Sequence, residues 1–329
     1  MSDSADPTPA PGRSALAWVT DNSAILYPIL VILALVALFA ALNPFFATFN
    51  NFMNIGRQSS VLLIVALAGT MVILIGSIDL SVGSTVALSG VVAALTLNAA
   101  GPVAAVLAGI GAGVLIGAVN GTVMLALKVP SFLVTIGMLS VLAGMTNIVS
   151  NGQSILFGDY ALTDFVNASP ILGVPNIIFI ALVTTVALIL LSFKTVFGRH
   201  LFAIGGGELV AANAGVPVAR LKILAFMLCG GLAGLGGVVL ASQVGAGSPT
   251  GVPTILLDSI AAIVMGGTAL SGGIGGPQRT ILGTLVIAIL SNGMDVTGVS
   301  SFTQQIVKGL VIILAVASTI DRSKYPFTK

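Results

Sequence analysis

Lys194 to Lys222 reads KTVFGRHLFAIGGGELVAANAGVPVARLK, a polar island in an otherwise apolar chain. It carries Lys194, Arg199, Glu208, Arg220, Lys222 and the single histidine, His200. On either side the sequence runs apolar for the length a membrane helix needs. The segment therefore divides the hydrophobic runs into two groups and has the chemistry of a water-facing platform. Glu208 to Ala214 is predicted to form a short helix, closed by Gly215 and stopped by Pro217. Gly205, Gly206 and Gly207 ahead of it permit a tight turn. The middle of that helix is Leu-Val-Ala-Ala with one acid, which suits a protein groove better than anionic headgroups. The segment reads as the place where a cytoplasmic partner grips a membrane protein.

Working outward, 57% of the 329 residues are hydrophobic and 7% are charged. The mean hydropathy of +1.14 excludes an ordinary soluble fold. The fold class expected is an all-α integral membrane protein. Apolar runs of spanning length are centred on residues 24–42, 59–76, 81–98, 102–127, 131–149, 175–193, 222–242, 255–271, 280–294 and 303–320, about ten helices. Pro102, Pro130 and Pro175 mark helix starts, where a first turn has no partner for the missing amide. The domain plan is a disordered tail over 1–23, a membrane domain over 24–320 with the cytoplasmic loop 194–222, and a second tail over 321–329. The N-terminal run is too long for a secretory signal and follows acidic residues, so it is read as a retained helix.

Basic residues orient the bundle. With the N-terminus in the cytoplasm and ten spans, the inside receives Arg13, Lys128, Lys194, Arg199, Arg220, Lys222, Arg279, Arg322, Lys324 and Lys329. The outside receives Arg57 alone, and Lys308 falls inside the last span. The outer connection 150–174 holds Asp159 and Asp164 and no basic residue. An even count of spans keeps both termini in the cytoplasm. The net charge of +2 comes from residues flanking apolar runs rather than from a patch, so nucleic-acid binding is not expected. One cysteine, Cys229, permits no internal disulfide and reads as a packing residue.

Gly109, Gly113, Gly117 and Gly121 recur every four residues, with Ala105 extending the stripe, and Gly230 and Gly234 repeat the device. Such ridges let helix backbones approach closely in lipid. GSIDLSVGSTVALSGVVA from Gly76 can be laid against GGIGGPQRTILGTLVIA from Gly272, a possible internal pseudo-repeat of a glycine-rich turn feeding an apolar helix.

Catalysis has little to work with: HExxH, GxSxG, CxxC and Walker A patterns are absent, and no metal site is expected. Asp79 is read first as a helix cap with Ser81, and second as a binding residue for substrate or protons. Asp258 and Lys308 stand near helix ends, where snorkelling relieves their charge. Neutral polar side chains in or at the ends of spans are the candidates for a translocation path: Asn120, Thr135, Asn147 and Gln243, with Gln153, Ser248 and Asn292.

Several blocks resemble one family. GSIDLSVGS at Gly76–Ser84 is similar to the GGIDLSVGS signature of ribose/galactose-type ABC importer permeases. So are PSFLVTIGMLSVLAG at Pro130–Gly144, GELVAANAGV at Gly207–Val216, LDSIAAIVMGGTALSGGIG at Leu257–Gly275 and GVSSFTQQIVKGLVIILAV at Gly298–Val316. The resemblance runs in order from about residue 45 to 320. It departs at Ser77, where the family has glycine, and at Glu208, where an acidic pair is common. It implies a permease of about ten helices in the bacterial inner membrane, working as a dimer with a second copy or a paralogue. It also implies that the chain is not itself an enzyme. A separate ATPase subunit binds ATP and magnesium and docks on the short helix, and an extracytoplasmic binding protein delivers a monosaccharide or similar small polyol. Glu208, Ala211, Ala212 and Gly215 match the family's coupling motif. Glu208 would contact the ATPase, and the two alanines and Gly215 would fit its groove. No cofactor is expected in this chain. The rival readings are a permease of the same class for a branched-chain amino acid or a nucleoside, and an ion-coupled secondary transporter, which should carry more intramembrane acids than Asp79.

Overall fold

The computed structural model describes residues 23–250 and 253–319. The two tails, residue 23 apart, lie outside the described residues. The chain folds into helices α1 (Ser23–Leu42), α2 (Phe49–Ile73), α3 (Val82–Ala100), α4 (Pro102–Leu127), α5 (Ser131–Ser150), α6 (Ala161–Asn167), α7 (Asn176–Lys194), α8 (Val196–Gly206), α9 (Glu208–Asn213), α10 (Val218–Val244), α11 (Pro253–Met265), α12 (Pro277–Val296) and α13 (Ser301–Thr319). Two-residue strands β1 (Ile155–Leu156) and β2 (Ala246–Gly247) pair antiparallel and tie the long 151–175 connection to the end of α10.

Eight of these helices are long and apolar enough to cross a membrane, and α11 and α13 are shorter apolar helices. The chain is thus an all-α, multi-pass membrane protein in which each run marked from the sequence is a helix. The largest differences are at two ends. Helix α2 begins ten residues before the marked run, because Thr48 caps it by accepting the Asn51 amide and the first turns are polar. Helix α11 stops at Met265 instead of 271. Gly266 there faces the Arg279 carbonyl so closely that a Cβ would collide with it, and Gly267 turns the chain at φ +82°. At ~1.5 Å per residue, the 13 residues of α11 reach about 20 Å, short of a hydrocarbon core of about 30 Å. Pro102, Pro130 and Pro175 all stand at helix starts.

Burial ranks the helices. In α2 72% of the apolar window is inside the protein, against 11% in α1 and 17% in α5. Helix α2 is therefore the axis of the bundle, while α1 and α5 give most of their surface to lipid. The glycine ridges of α4 and α10 face one another: a Cβ at Gly113 would strike the Gly230 carbonyl, and one at Gly117 the Phe226 carbonyl. Backbones this close gain dispersion contact along the whole seam, the main attraction open to helices in lipid.

The two glycine-rich turns that align in sequence also meet in space. Residues 74–81 break the path from α2 to α3, and residues 266–276 break that from α11 to α12. The Gly273 amide donates to the Leu74 carbonyl at 3.0 Å, and Gly272 sits where any side chain would run into Gly76.

Candidate docking platform and translocation cavity

The polar island folds as two helices, not one. Thr195 breaks the chain away from α7 and caps α8 by accepting the Gly198 amide at 3.2 Å. Gly205 and Gly206, expected to turn, are instead the last residues of α8. Their smallness serves close approach, since a Cβ at Gly205 would collide with the Leu74 carbonyl and with Gly273. Helix α8 thus presses directly on both broken segments. The turn itself falls at Gly207, and α9 follows over Glu208–Asn213, closed through Ala214 by Gly215 at φ +84°.

The side chains of α9 divide into two faces. Ala211 is 4% exposed and joins the buried cluster that holds Leu74, Leu201, Ile204 and Leu221. Its expected place in a partner's groove is therefore corrected: Ala211 points into this chain, where its small size lets α9 lie flat. Ala212 and Gly215 are exposed. Glu208 is exposed but engaged, its carboxylate accepting Lys222 Nζ of α10 at 2.6 Å. The residues that sequence reasoning missed are Leu209 and Val210, 79% and 74% exposed on the outer face. Their signal was present in the Leu-Val pair, but only the burial of Ala211 shows which way the helix is turned.

Asp79 stands in the break before α3. Its Oδ1 accepts both the amide (2.8 Å) and the hydroxyl (2.6 Å) of Ser81, and the Ser81 hydroxyl in turn accepts Asn120 Nδ2 of α4 at 2.8 Å. Around it, α5 satisfies the extended backbone: Ser131 Oγ accepts the Ile78 amide and Thr135 Oγ1 the Leu80 amide, both at 3.0 Å. Unpaired amides at this depth would each cost several kcal/mol (~4–8 in a fully apolar medium), which is why hydroxyls stand one helical turn apart there. Asp79 and Asn120 are thus joined through Ser81 in one buried polar cluster, while Thr135, also buried, bonds the adjoining backbone and not their side chains. Asn147 lies apart on the exposed face of α5, donating to the Ala143 carbonyl.

At the opposite end from α8 and α9, a cavity of about 460 Å³ opens between α2, α3, α10, α11, α12 and α13. Of the path candidates, Gln243 and Ser248 line it, beside Gln58 and Ser291, whereas Asp79, Asn120, Thr135 and Asn147 do not. Asp258 of α11 and Lys308 of α13 also lie on its wall, with Oδ2 and Nζ 2.9 Å apart. These two charges are relieved by each other, not by snorkelling to the membrane surface as expected. Among the described residues, no three metal-ligating side chains are grouped as a metal site would require.

Comparison with known proteins agrees with this architecture. The family described as the permease component of branched-chain amino acid transport systems matches residues 51–316. The ribose import permease protein RbsC of Escherichia coli is 38% identical over 94% of this chain and 95% of its own length. RbsC of Bacillus subtilis is 38% identical over 91% and 93%, respectively. The L-arabinose ABC transporter permease protein AraH of Azospirillum brasilense is 35% identical over 94% and 90%. No solved structure matches the chain. With its membrane-length helices and a match over most of its length, the chain belongs to the branched-chain amino acid transport system permease family and is a multi-pass permease of the ABC importer class.

Proposed function

We propose that this chain is the membrane subunit of an ATP-driven importer of a monosaccharide or similar small polyol. The observation that carries this reading is the near full-length identity, at 35–38%, to permeases for ribose and L-arabinose. The sequence carries no Walker A pattern, and in this reading a partner ATPase binds ATP with magnesium and docks on α9 and its cap through Leu209, Val210, Ala212 and Gly215. Two permease copies, identical or paralogous, face two ATPase domains, and an extracytoplasmic binding protein supplies the solute. Closure of the ATPases pushes α9. Glu208 passes the push to α10 through Lys222, and Gly205 passes it to the two broken segments, so that access alternates.

Reconstitution tests the reading. The chain is placed in proteoliposomes with its ATPase and binding protein, and ATP-dependent uptake of D-ribose, L-arabinose, L-leucine and adenosine is compared. Uptake of a pentose alone is expected. Uptake of leucine or adenosine instead would move the chain to another branch of its class, and uptake driven by an ion gradient without ATP would remove it from that class.

A further inference from the structure

The Asp258–Lys308 pair raises a question that packing does not answer. Asp258 sits in the second turn of α11 and Lys308 in the third turn of α13, with side chains 17% and 18% exposed. An ion pair taken out of water is often no more stabilising than an apolar pair of the same size. Charges within spans mark pathways more often than they hold helices together. This pair is also turned toward a cavity, not sealed between helices. On the same wall, Gln58 of α2, the side chain of Gln243 of α10, and Ser291 of α12 make no hydrogen bond within the described residues, so their amide and hydroxyl groups are free to take a ligand. The volume of about 460 Å³ lies in the range of small-molecule sites, roughly 300–1,000 Å³. Apart from Ser248, Thr250 and Thr254, the remaining wall is apolar, including Val61, Leu62 and Ile255.

We propose that this cavity is a binding site for a neutral polyhydroxyl solute inside a single copy of the chain, with the Asp258–Lys308 pair as its polar pole and Gln58, Gln243 and Ser291 as the hydrogen-bond partners that orient the solute. Neighbouring hydroxyls on a sugar ring donate to a carboxylate and accept from an ammonium at once. A paired acid and base therefore binds a neutral polyol without holding a net charge, whereas a free acid would select a cation. The apolar wall faces the C–H side of the ring. The class of solute rests on the sugar-importer reading above; the location of the site rests on the cavity.

Ser291→Cys places a thiol on the wall, and Cys229 is buried and serves as the internal control. The full chain, purified in nanodiscs, is labelled with a small methanethiosulfonate reagent with or without saturating D-ribose, L-arabinose, D-galactose or myo-inositol. At least one of these is expected to slow labelling about tenfold. In proteoliposomes with the partners, Gln243→Leu is expected to assemble normally and to raise the KM for uptake about tenfold, the worth of one or two lost hydrogen bonds. If a panel sugar is imported while labelling and the Gln243→Leu KM stay at their control values, the cavity is not the site and the importer reading stands. If labelling is slowed but no panel sugar is imported, the site stands and the importer reading falls. If none slows labelling and only an amino acid or nucleoside is imported, both fall.

Discussion

Two residues show how the membrane setting fixes side-chain choice. Thr135 is on an apolar helix, yet its hydroxyl is the acceptor for the Leu80 amide in the break before α3. Thr135→Val keeps the shape and orphans that amide, so about 1–3 kcal/mol of stability should be lost, read as a lower thermal midpoint in detergent, and Thr135→Ser should recover most of it. Gly117 works by having no side chain. A Cβ there would collide with the Phe226 carbonyl, so Gly117→Val should cost about 1–3 kcal/mol or more by forcing α4 and α10 apart. Gly144 of α5 has open space around its Cβ position, and Gly144→Ala should instead gain about 0.5–1 kcal/mol of helix stability. A pair of equal melting temperatures would show that the seam is not tight. The sequence sets Gly117 in a ridge and Gly144 outside one, and the neighbouring backbone shows that the ridge position is the one with no room.

At the scale of elements, α9 is a short bar with one face glued down and one face bare. Leu209→Asp changes only the bare face, so the permease should fold normally while capture of its ATPase partner drops at least tenfold in a pull-down, a loss of about 1.4 kcal/mol. Ala211→Arg acts differently, because 4% exposure leaves no room for a guanidinium. It should lower the melting temperature of the isolated permease as well as its ATPase capture. Normal melting of Ala211→Arg together with lost capture would mean that α9 is turned the other way. The periodicity of so short a helix, flanked by glycine and proline, could not assign these faces. They are assigned by α8, whose helical character the three consecutive glycines obscured, and by its contact with the broken segments after α2 and α11.

For the whole molecule, the charge distribution predicts that α8 and α9 lie in the cytoplasm and the 151–175 connection outside. Leu172 and Leu209 are 90% and 79% exposed at the two ends, and Cys229 is buried. In intact cells that express the permease without its ATPase partner, a membrane-impermeant maleimide should label Leu172→Cys at least tenfold faster than Leu209→Cys, and permeabilisation should equalise the two, as expected if lipid is the only barrier. The reverse order of labelling would invert the bundle and place the docking platform on the wrong side for an ATPase.

The sequence by itself determined the class of protein, its helices, the small-residue ridges and the position of the short helix α9. Each is a local property: hydropathy over about 20 residues sets a span, proline and glycine set its ends, and charge sets its side. The partner of each ridge, the inward turn of Ala211, the shortness of α11 and the meeting of Asp258 with Lys308 were decided only by the tertiary structure. In lipid every helix already has its backbone satisfied and its apolar surface solvated, so the sequence of one helix does not name its neighbour. That choice is made by backbone-to-backbone fit and by a few buried polar groups 50 or more positions apart, such as the Lys308–Asp258 pair and the bond from Asn51 to Asn292, which become neighbours only once the bundle has closed.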